Sequence, residues 1–406
     1  MLRVFKTRSR DSTLTEKSRL RFGSLFDVLC RDLKLLFAVN LVGSFGDGLY
    51  AYLLPVHLAE NLKASPEEVG ILYAVMSLCA ASSLLVAGML ADKYDRKKIM
   101  IAGWLAWIPA PLIFSFARGW LEALPGMILW GVWLGGPTVT AYVVATADRS
   151  RLTLAFTTIS ASWSLGYIFS PALGGFLSEV FGMQLVFYLA SLLYSLACFL
   201  LVFVHSQRAT NTTQKSSETR SSLLSLFRTR KLLRLSAIFG SIMFVMMMFR
   251  PFVPQFLANV YHFSTFEIGV LGSVCFLGSA ILGIIIGRVG DRSKKSYAVI
   301  ASLALSCTSL ILLTLSNHFV VLLAAFFLVG GSYLAWSLMS AVVGPLAPEN
   351  IRARWVSVPQ TISMFSSFIA PYLGGILFAA SPYYPLIVAI VASGFLALLV
   401  ATKLKE

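Results

Sequence analysis

Twelve long apolar segments constrain the fold of this chain more than any other feature of its sequence. A helix needs about 20 apolar residues to cross the hydrocarbon core of a bilayer. Six such segments lie near residues 34–60, 66–91, 98–117, 121–147, 152–180 and 183–205, and six more near 232–261, 265–287, 296–316, 319–347, 354–380 and 383–402. Only 13% of the residues are charged, against about 25% in an ordinary soluble domain. The sequence therefore predicts an all-α membrane protein with twelve transmembrane helices.

Basic residues predict how the chain lies in the membrane. Of 33 Lys and Arg residues, all but Lys63, Arg118 and Arg250 fall in segments that share one side if both termini are cytoplasmic. This bias follows the positive-inside rule, and it explains the net charge of +15 without nucleic acid as a partner. We expect a cytoplasmic N-terminal segment (1–33), a six-helix bundle (34–205), a cytoplasmic linker (206–231), a second bundle (232–402) and a short cytoplasmic tail (403–406). The expected location is the cell membrane.

The two halves of the sequence are related by an internal repeat. A shift of 199 residues superimposes five pairs of uncommon residue types in one ungapped frame: Pro55 and Pro254, Glu68 and Glu267, Gly70 and Gly269, Gly88 and Gly287, and Asp92 and Asp291. Six helices followed by six of the same in/out sense form a parallel repeat about an axis along the membrane normal. Such repeats are typical of transporters with a central site between two bundles.

One motif follows the second apolar segment. It reads Gly-Met-Leu-Ala-Asp-Lys-Tyr-Asp-Arg-Lys-Lys, with Gly88, Asp92, Asp95, Arg96 and Lys97 at its informative positions. A decayed copy in the second half carries Gly287, Asp291 and Arg292. The motif resembles the signature of the major facilitator superfamily, and this resemblance implies two six-helix bundles, alternating access, and a charged cytoplasmic gate that latches and releases. Alternatively, the basic residues only fix topology. Asp95 stands where the family usually has glycine.

A proline–glycine pattern in the fifth segment is repeated in the eleventh. Pro171, Gly174 and Gly175 have counterparts in Pro371, Gly374 and Gly375. The first copy resembles the motif of drug/proton antiporters, which implies a hinge and export. Tight helix crossing alone would also explain small residues beside a proline. The fourth segment lacks the arginine that proton-driven exporters of this family usually carry, so proton coupling would need another group.

Two charged residues lie near the middle of the predicted membrane. Asp47 is halfway along the first segment and Arg250 is past the middle of the seventh. An unpaired charge at that depth costs about 2.5–3.5 kcal/mol on insertion scales. We expect the two residues to lie near one another on the central pathway and to bind substrate or couple protons. Two alternatives remain: a static pair that holds the bundles together, or local capping by Asp47 with Arg250 reaching outward.

Other cavity candidates are polar or amphipathic residues at mid-span. The strongest are Asn40, Tyr142, Trp163, Trp336 and Gln360, with Tyr50, Thr138 and Tyr333 beside them. Together they predict an apolar, aromatic cavity with few hydrogen-bonding groups. Such a cavity favours an amphipathic or lipophilic solute over a sugar or polyanion.

The pattern favours a secondary active transporter driven by protons, working as a monomer and exporting a small solute. Uptake by a symporter or facilitator is the alternative within the same class. A membrane enzyme is disfavoured because no catalytic constellation lies in or beside the segments, and a receptor-like role because the polar segments are short. We expect no cofactor and no metal site, and no ATP-binding motif is present.

Overall fold

The structure is a computed structural model that describes residues 29–148, 152–208, 230–343 and 352–403. Most of the predicted N-terminal segment, the linker from residue 209 to 229 and the last three residues lie outside the described part. The side chains of Asp92, Asp291 and Trp336 also lie outside it, although their backbones are helical.

The first half forms six helical spans, here called the N-bundle. Their bounds are Arg31–Ala51 with Leu54–Glu60 (span 1), Pro66–Lys93 (span 2), Arg96–Trp107 with Pro109–Phe116 (span 3), Trp120–Trp130 with Gly135–Thr146 (span 4), Leu152–Phe181 (span 5) and Met183–Leu201 (span 6).

The second half forms six more spans, the C-bundle. They are Arg230–Phe249 with Phe252–Tyr261 (span 7), Thr265–Arg292 (span 8), Lys295–Leu315 (span 9), Phe319–Val329 with Ala335–Val343 joined by a 3₁₀ turn (span 10), Arg352–Ser367 with Ala370–Ala380 (span 11) and Tyr384–Lys403 (span 12). The twelve-span, all-helical prediction is confirmed for the described residues.

Ten of the described spans are both long and apolar enough to cross a bilayer by themselves; spans 1 and 5 are the exceptions. Span 1 contains Asn40 and Asp47, and span 5 is rich in Ser and Thr. These two spans pack along each other inside the N-bundle. Their polar residues therefore account for their lower hydropathy, and the contact between the two spans accounts for part of their burial.

The internal repeat is visible in identical local structures. Ser65 and Glu68 form a capping box at the start of span 2, with Ser65 N donating to Glu68 Oε2 at 2.8 Å. Ser264 and Glu267 form the same box at the start of span 8, at 2.9 Å. Each box satisfies orphan backbone donors of the first helical turn. Glu68 and Glu267, which the 199-residue shift aligns, therefore have the same structural role in the two bundles.

Helix breaks repeat in the same frame. Span 1 is interrupted at residues 52–53 and span 7 at 250–251. Spans 4 and 10 break after Gly131 and at Gly330, which are again 199 residues apart. A Cβ on Gly131 would lie 2.6 Å from the Met76 carbonyl oxygen, and one on Gly330 would lie 2.4 Å from that of Cys275. Backbone crosses backbone at both places, so glycine is required at both.

The bundles touch each other at one end of the molecule, here called the far end, where spans 2 and 8 begin. A Cβ on Gly70 would lie 2.6 Å from the Pro371 carbonyl oxygen, and one on Gly269 would lie 2.3 Å from that of Pro171. Gln255 Nε2 also donates to the Pro55 carbonyl across the interface, at 2.8 Å. Spans 2 and 11 and spans 5 and 8 are thereby packed closely.

The opposite end, here called the basic end, carries the loops after spans 2 and 8. A Cβ on Gly88 or on Gly287 would meet no described atom within 4 Å. At the far end the bundles are in contact, whereas at the basic end no described atom lies within 4 Å of a Cβ on either glycine. The side chains at the start of span 11, residues 352–358, lie outside the described part, so the role of the two glycines in the gate stays a prediction.

Candidate functional site

A cavity of about 250 Å³ lies in the basic-end half of the N-bundle. Its wall is mainly aliphatic and aromatic, and its side-chain polar groups are those of Asn40, Thr140 and Ser160 together with the indole N–H groups of four tryptophans. Two predicted site residues, Asn40 and Trp163, line it. The wall has the predicted apolar and aromatic character, but all its residues belong to the N-bundle, whereas the repeat led us to expect a central site between the two bundles.

Four tryptophans form the deep wall of this cavity: Trp104, Trp107, Trp133 and Trp163. Trp107 is central, with ring centroids 5.6 Å from Trp104, 6.0 Å from Trp133 and 6.3 Å from Trp163. These are edge-to-face distances at which aromatic rings attract one another. The wall offers flat faces to a guest and few hydrogen-bonding groups.

Asp47 lies behind the tryptophan wall and is 3% exposed. Trp130 Nε1 donates to Oδ1 at 2.8 Å, Tyr194 OH donates to Oδ1 at 2.5 Å, and Tyr167 OH donates to Oδ2. Tyr50, a further candidate, lies 3.1 Å from Tyr194 through their hydroxyls. Three donors surround this buried carboxyl group, and among the described residues no cation lies within ion-pair distance of it.

Glycines on span 1 allow its neighbours to close around Asp47. A Cβ on Gly46 would lie 2.9 Å from Leu193 Cβ, and one on Gly48 would lie 1.9 Å from Ser170 Oγ. Spans 5 and 6, which carry Tyr167 and Tyr194, can therefore approach span 1 closely on both sides of the carboxylate. The run Gly43-Ser-Phe-Gly-Asp-Gly48 is thus the sequence element that builds this site.

The tyrosines connect the carboxylate to the cavity wall. The Tyr194 ring lies 5.6 Å from Trp104 and 5.7 Å from Trp107, and the Tyr167 ring lies 6.1 Å from Trp163. A solute bound among the tryptophans would therefore contact rings that pack directly on Tyr194 and Tyr167, whose hydroxyls donate to Asp47.

Arg250 is not paired with Asp47. Its guanidinium carbon lies 3.4 Å from the centroid of the Tyr333 ring, in the C-bundle, and no carboxylate lies within 4 Å of it among the described residues. Among the described residues the two charges form no direct ion pair, and their expected proximity on the central pathway stays a prediction. Aromatic rings connect the two charges instead: Tyr167 contacts Phe276 at 4.5 Å, and Phe276 contacts Tyr333 at 5.3 Å.

Two further predicted cavity residues lie elsewhere. Tyr142 is 1% exposed and donates to Asp32 Oδ2 at 2.9 Å near the basic end. There His205 Nδ1 lies 2.9 Å from Asp32 Oδ1, so Tyr142 joins the ends of spans 1, 4 and 6. Gln360 donates to Ser340 Oγ at 3.3 Å, between spans 11 and 10. Neither belongs to the wall around the large cavity.

The gate motif contacts its own bundle. Asp95 caps span 3 by accepting from Lys97 N at 3.0 Å, and it also accepts from Ser206 Oγ and from Gln207 N. Arg96 Nη1 donates to Gln207 Oε1 at 2.7 Å, and Lys97 Nζ donates to the Val202 carbonyl at 2.7 Å. The replacement of glycine by Asp95 thus fastens the end of span 6 to the motif. Arg292, in the second copy, is exposed.

Burial works to raise the pKa of Asp95, but hydrogen bonds from Ser206 and from the backbone of Lys97 and Gln207 outweigh it, helped by the charge of Lys98. The pKa of Asp95 therefore lies below its ordinary value.

The proline–glycine motifs pack in matched ways. A Cβ on Gly174 would lie 1.8 Å from the Leu49 carbonyl oxygen of span 1, and one on Gly374 would lie 2.0 Å from the Met248 carbonyl oxygen of span 7. A Cβ on Gly175 would instead lie 2.3 Å from the Thr265 carbonyl oxygen of the C-bundle, and one on Gly375 would lie 2.4 Å from the Pro66 carbonyl oxygen of the N-bundle. The first glycine of each pair thus allows close packing within its own bundle, and the second allows close packing against the other bundle.

The two motifs differ at their prolines. Span 5 continues as one helix through Pro171, whereas span 11 is interrupted just before Pro371. The helix of span 5 is therefore continuous at the predicted hinge, Pro171, in this conformation.

Sequence comparison agrees with this architecture. The family model of the Major Facilitator Superfamily matches residues 36–253 and 235–406. The chain belongs to this superfamily. Multidrug resistance protein 2 of Bacillus subtilis (strain 168) is 24% identical over 368 residues, covering 87% of this chain and 90% of that protein. Quinolone resistance protein NorA of Staphylococcus aureus is 25% identical over 359 residues, covering 85% and 89%.

Solved structures show the same fold. The nucleoside transporter NupG superimposes with a TM-score of 0.73 at 14% identity, covering 93% of this chain and 100% of that one. A bacterial homologue of the human lysosomal transporter Spinster, in an inward-facing conformation, gives 0.68 at 16% identity, covering 95% and 98%. This chain is a multi-pass membrane protein and a transporter by family.

The residues that sequence reasoning missed are aromatic. Trp104, Trp107 and Trp133 line the cavity, and Trp130, Tyr167 and Tyr194 bind or flank Asp47. Five of the eight tryptophans of the chain lie at this site. Their concentration in spans 3 to 5 is the signal that would have identified the wall.

Proposed function

We propose that the protein exports small lipophilic or amphipathic compounds from the cytoplasm in exchange for protons, with Asp47 as the proton carrier. The observation that carries this proposal is the arrangement of Asp47 directly behind an apolar cavity walled by tryptophans. A carboxylate without a cation partner in a membrane interior marks an ion pathway. It can take up a proton and release it as its surroundings change.

The cavity supports the solute class. Flat aromatic faces bind planar apolar groups by stacking and attract organic cations. Three neutral polar side chains and the indole N–H groups in a largely apolar wall offer little to a sugar, whose many hydroxyls would lose their hydrogen bonds to water. The relatives named for multidrug and quinolone resistance are in keeping with this class.

Direction and location rest on charge. The Lys and Arg bias supports a cytoplasmic basic end, with the cavity facing the cytoplasm and the far end facing outside. We therefore propose an inward-facing state, both termini cytoplasmic, in the cell membrane, working as a monomer. Uptake by a symporter or facilitator remains the second candidate, because the fold by itself does not determine the direction of transport.

Accumulation of a fluorescent lipophilic cation in expressing cells tests the proposal. Wild-type cells should accumulate less of the dye than cells without the protein, and an uncoupler that collapses the proton gradient should abolish the difference. The Asp47→Asn variant should behave like the uncoupled wild type, while Glu122→Gln, a matched carboxyl-to-amide change at the far-end start of span 4, should export normally. Higher accumulation in wild-type cells would instead indicate uptake.

A further inference from the structure

A second, smaller cavity lies in the C-bundle where spans 7 to 10 meet Tyr52 of span 1. Its volume is about 20 Å³, and about 10–15 Å³ suffices for one water molecule. The cavity therefore holds one or two groups of water size. It is distinct from the tryptophan-walled cavity and shares no lining residue with it.

The polar side-chain groups at this cavity share the ability to donate a hydrogen bond. They are the guanidinium of Arg250, the thiol of Cys275, and the hydroxyls of Tyr52, Ser309, Ser332 and Tyr333. All of them can donate hydrogen bonds, and no carboxylate is among the lining residues. The chemistry of the wall suits an acceptor with negative charge and repels a metal cation.

Two polar atoms of the wall are buried without a hydrogen-bond partner. One is Arg250 Nε and the other is Ser332 Oγ, whose residue is 0% exposed. Buried polar groups in native proteins almost always have a partner, and an exception calls for a missing water or ion. Both residues line the same small space, which is the basis for assigning one occupant to the two unpartnered atoms.

The charge of Arg250 needs an anion as well as a hydrogen bond. Its described neighbour is the face of Tyr333 at 3.4 Å, and within the described residues it has no ion pair. Arginines inside a membrane usually pair with a carboxylate or a backbone carbonyl. Water would satisfy Nε and Ser332 but would leave the positive charge without a counter-ion.

We propose that this cavity binds one small monovalent anion of chloride size, held by Arg250 and Ser332. The anion neutralises the guanidinium in the middle of the C-bundle. Asp47 then needs no salt bridge to Arg250, and its carboxyl group remains free to exchange a proton. The site does not depend on which solute the large cavity takes.

Thermal unfolding of the purified protein tests the site. Chloride is titrated against gluconate at constant ionic strength and constant pH, because gluconate is too large for the cavity. A ligand that binds only the folded state raises the unfolding temperature in proportion to its occupancy. The wild type should be stabilised by chloride and by bromide in a saturable manner, and sulfate should not replace them.

Variants of the wall should change the apparent affinity. Loss of the charged donor in Arg250→Gln should weaken chloride binding by about tenfold or more. Ser332→Ala, which keeps the charge, should weaken it by a smaller factor, and Arg118→Gln, an exposed arginine in a loop, should leave it unchanged. If Arg250→Gln does not fold, Ser332→Ala and Arg250→Lys still decide the result.

Two outcomes would overturn the proposal. The first is an unfolding temperature that is the same in chloride and gluconate, which would mean that the cavity holds water alone. The second is stabilisation by acetate or formate, relative to gluconate, without stabilisation by halides, which would assign Arg250 to a carboxylate-bearing solute. Crystals grown in bromide provide an independent check, since an anomalous peak between Arg250 and Ser332 would support the anion site and a bromide-free cavity would contradict it.

Discussion

Glycines at the two ends of the bundle interface should control the balance between the two conformations. Gly70 and Gly269 lie at the closed far end, where an added Cβ would be 2.6 Å and 2.3 Å from carbonyl oxygens of the other bundle. Ordinary van der Waals contact requires the bundles to separate there by about 1 Å. Alanine at Gly70 or Gly269 should therefore destabilise the conformation seen here.

The size of the effect follows from the cost of overpacking. Forcing an extra methyl group into a packed contact costs about 1–3 kcal/mol, which corresponds to about 5- to 150-fold in a two-state equilibrium. Gly88→Ala and Gly287→Ala are matched controls, because their added methyl groups meet no described atom in this conformation. Alanine also favours helix over glycine, but the spans are helical in both conformations, so this gain cancels.

Distances between spin labels would measure the balance. Labels on cysteines placed at Lys93 and Lys294, both exposed at the basic end, report the separation of the bundles there. Gly70→Ala and Gly269→Ala should increase the population with a short distance, and Gly88→Ala and Gly287→Ala should decrease it. The reasoning fails if alanine at the far end leaves the distribution unchanged, or if both pairs shift it in the same direction.

Two other predictions concern binding and stability. Trp163→Ala removes one face of the aromatic cavity, so the affinity for a stacked guest should fall by about 1 kcal/mol or more, measured by dye titration, while Trp120→Ala outside the cavity should not change it. Asp95 has a lowered pKa in the folded state, so its hydrogen bonds stabilise the protein above the unfolded pKa of about 4 and lose effect as the pH falls through the folded value. Asp95→Ala should therefore lower the unfolding temperature at pH 7, and the difference from the wild type should shrink in more acidic buffer; a difference that grows on acidification would contradict this.

The large-scale architecture could be predicted from sequence because its causes are local. Span length follows from the apolar runs, and the matched positions Glu68 and Glu267 each complete a capping box within three residues of their serines. The 199-residue frame also places Gly131 and Gly330 at equivalent crossings. Each of these features can be read within one segment and then matched with its repeat.

The site was harder to predict because it depends on contacts between distant segments. Asp47 was identified as a charge within an apolar run, but its donors come from spans 4, 5 and 6. The 199-residue shift gives Arg250 and Asp47 similar depths in the membrane, and we therefore expected them to be neighbours. Depth does not determine the direction of a side chain, and Arg250 packs on Tyr333 in its own bundle. Tyr142 was assigned to the cavity by the same reasoning, and Asp32 holds it near the basic end instead.

Proton release on binding tests the central claim most directly, because it links the cavity to Asp47. Purified protein in weakly buffered detergent solution is mixed with a lipophilic cation, and the change in pH is recorded. Wild-type protein should release about one proton per bound cation as Asp47 ionises, and Asp47→Asn should bind the cation without releasing a proton. Equal proton release by the wild type and Asp47→Asn would contradict the role of Asp47 and the coupling proposed here.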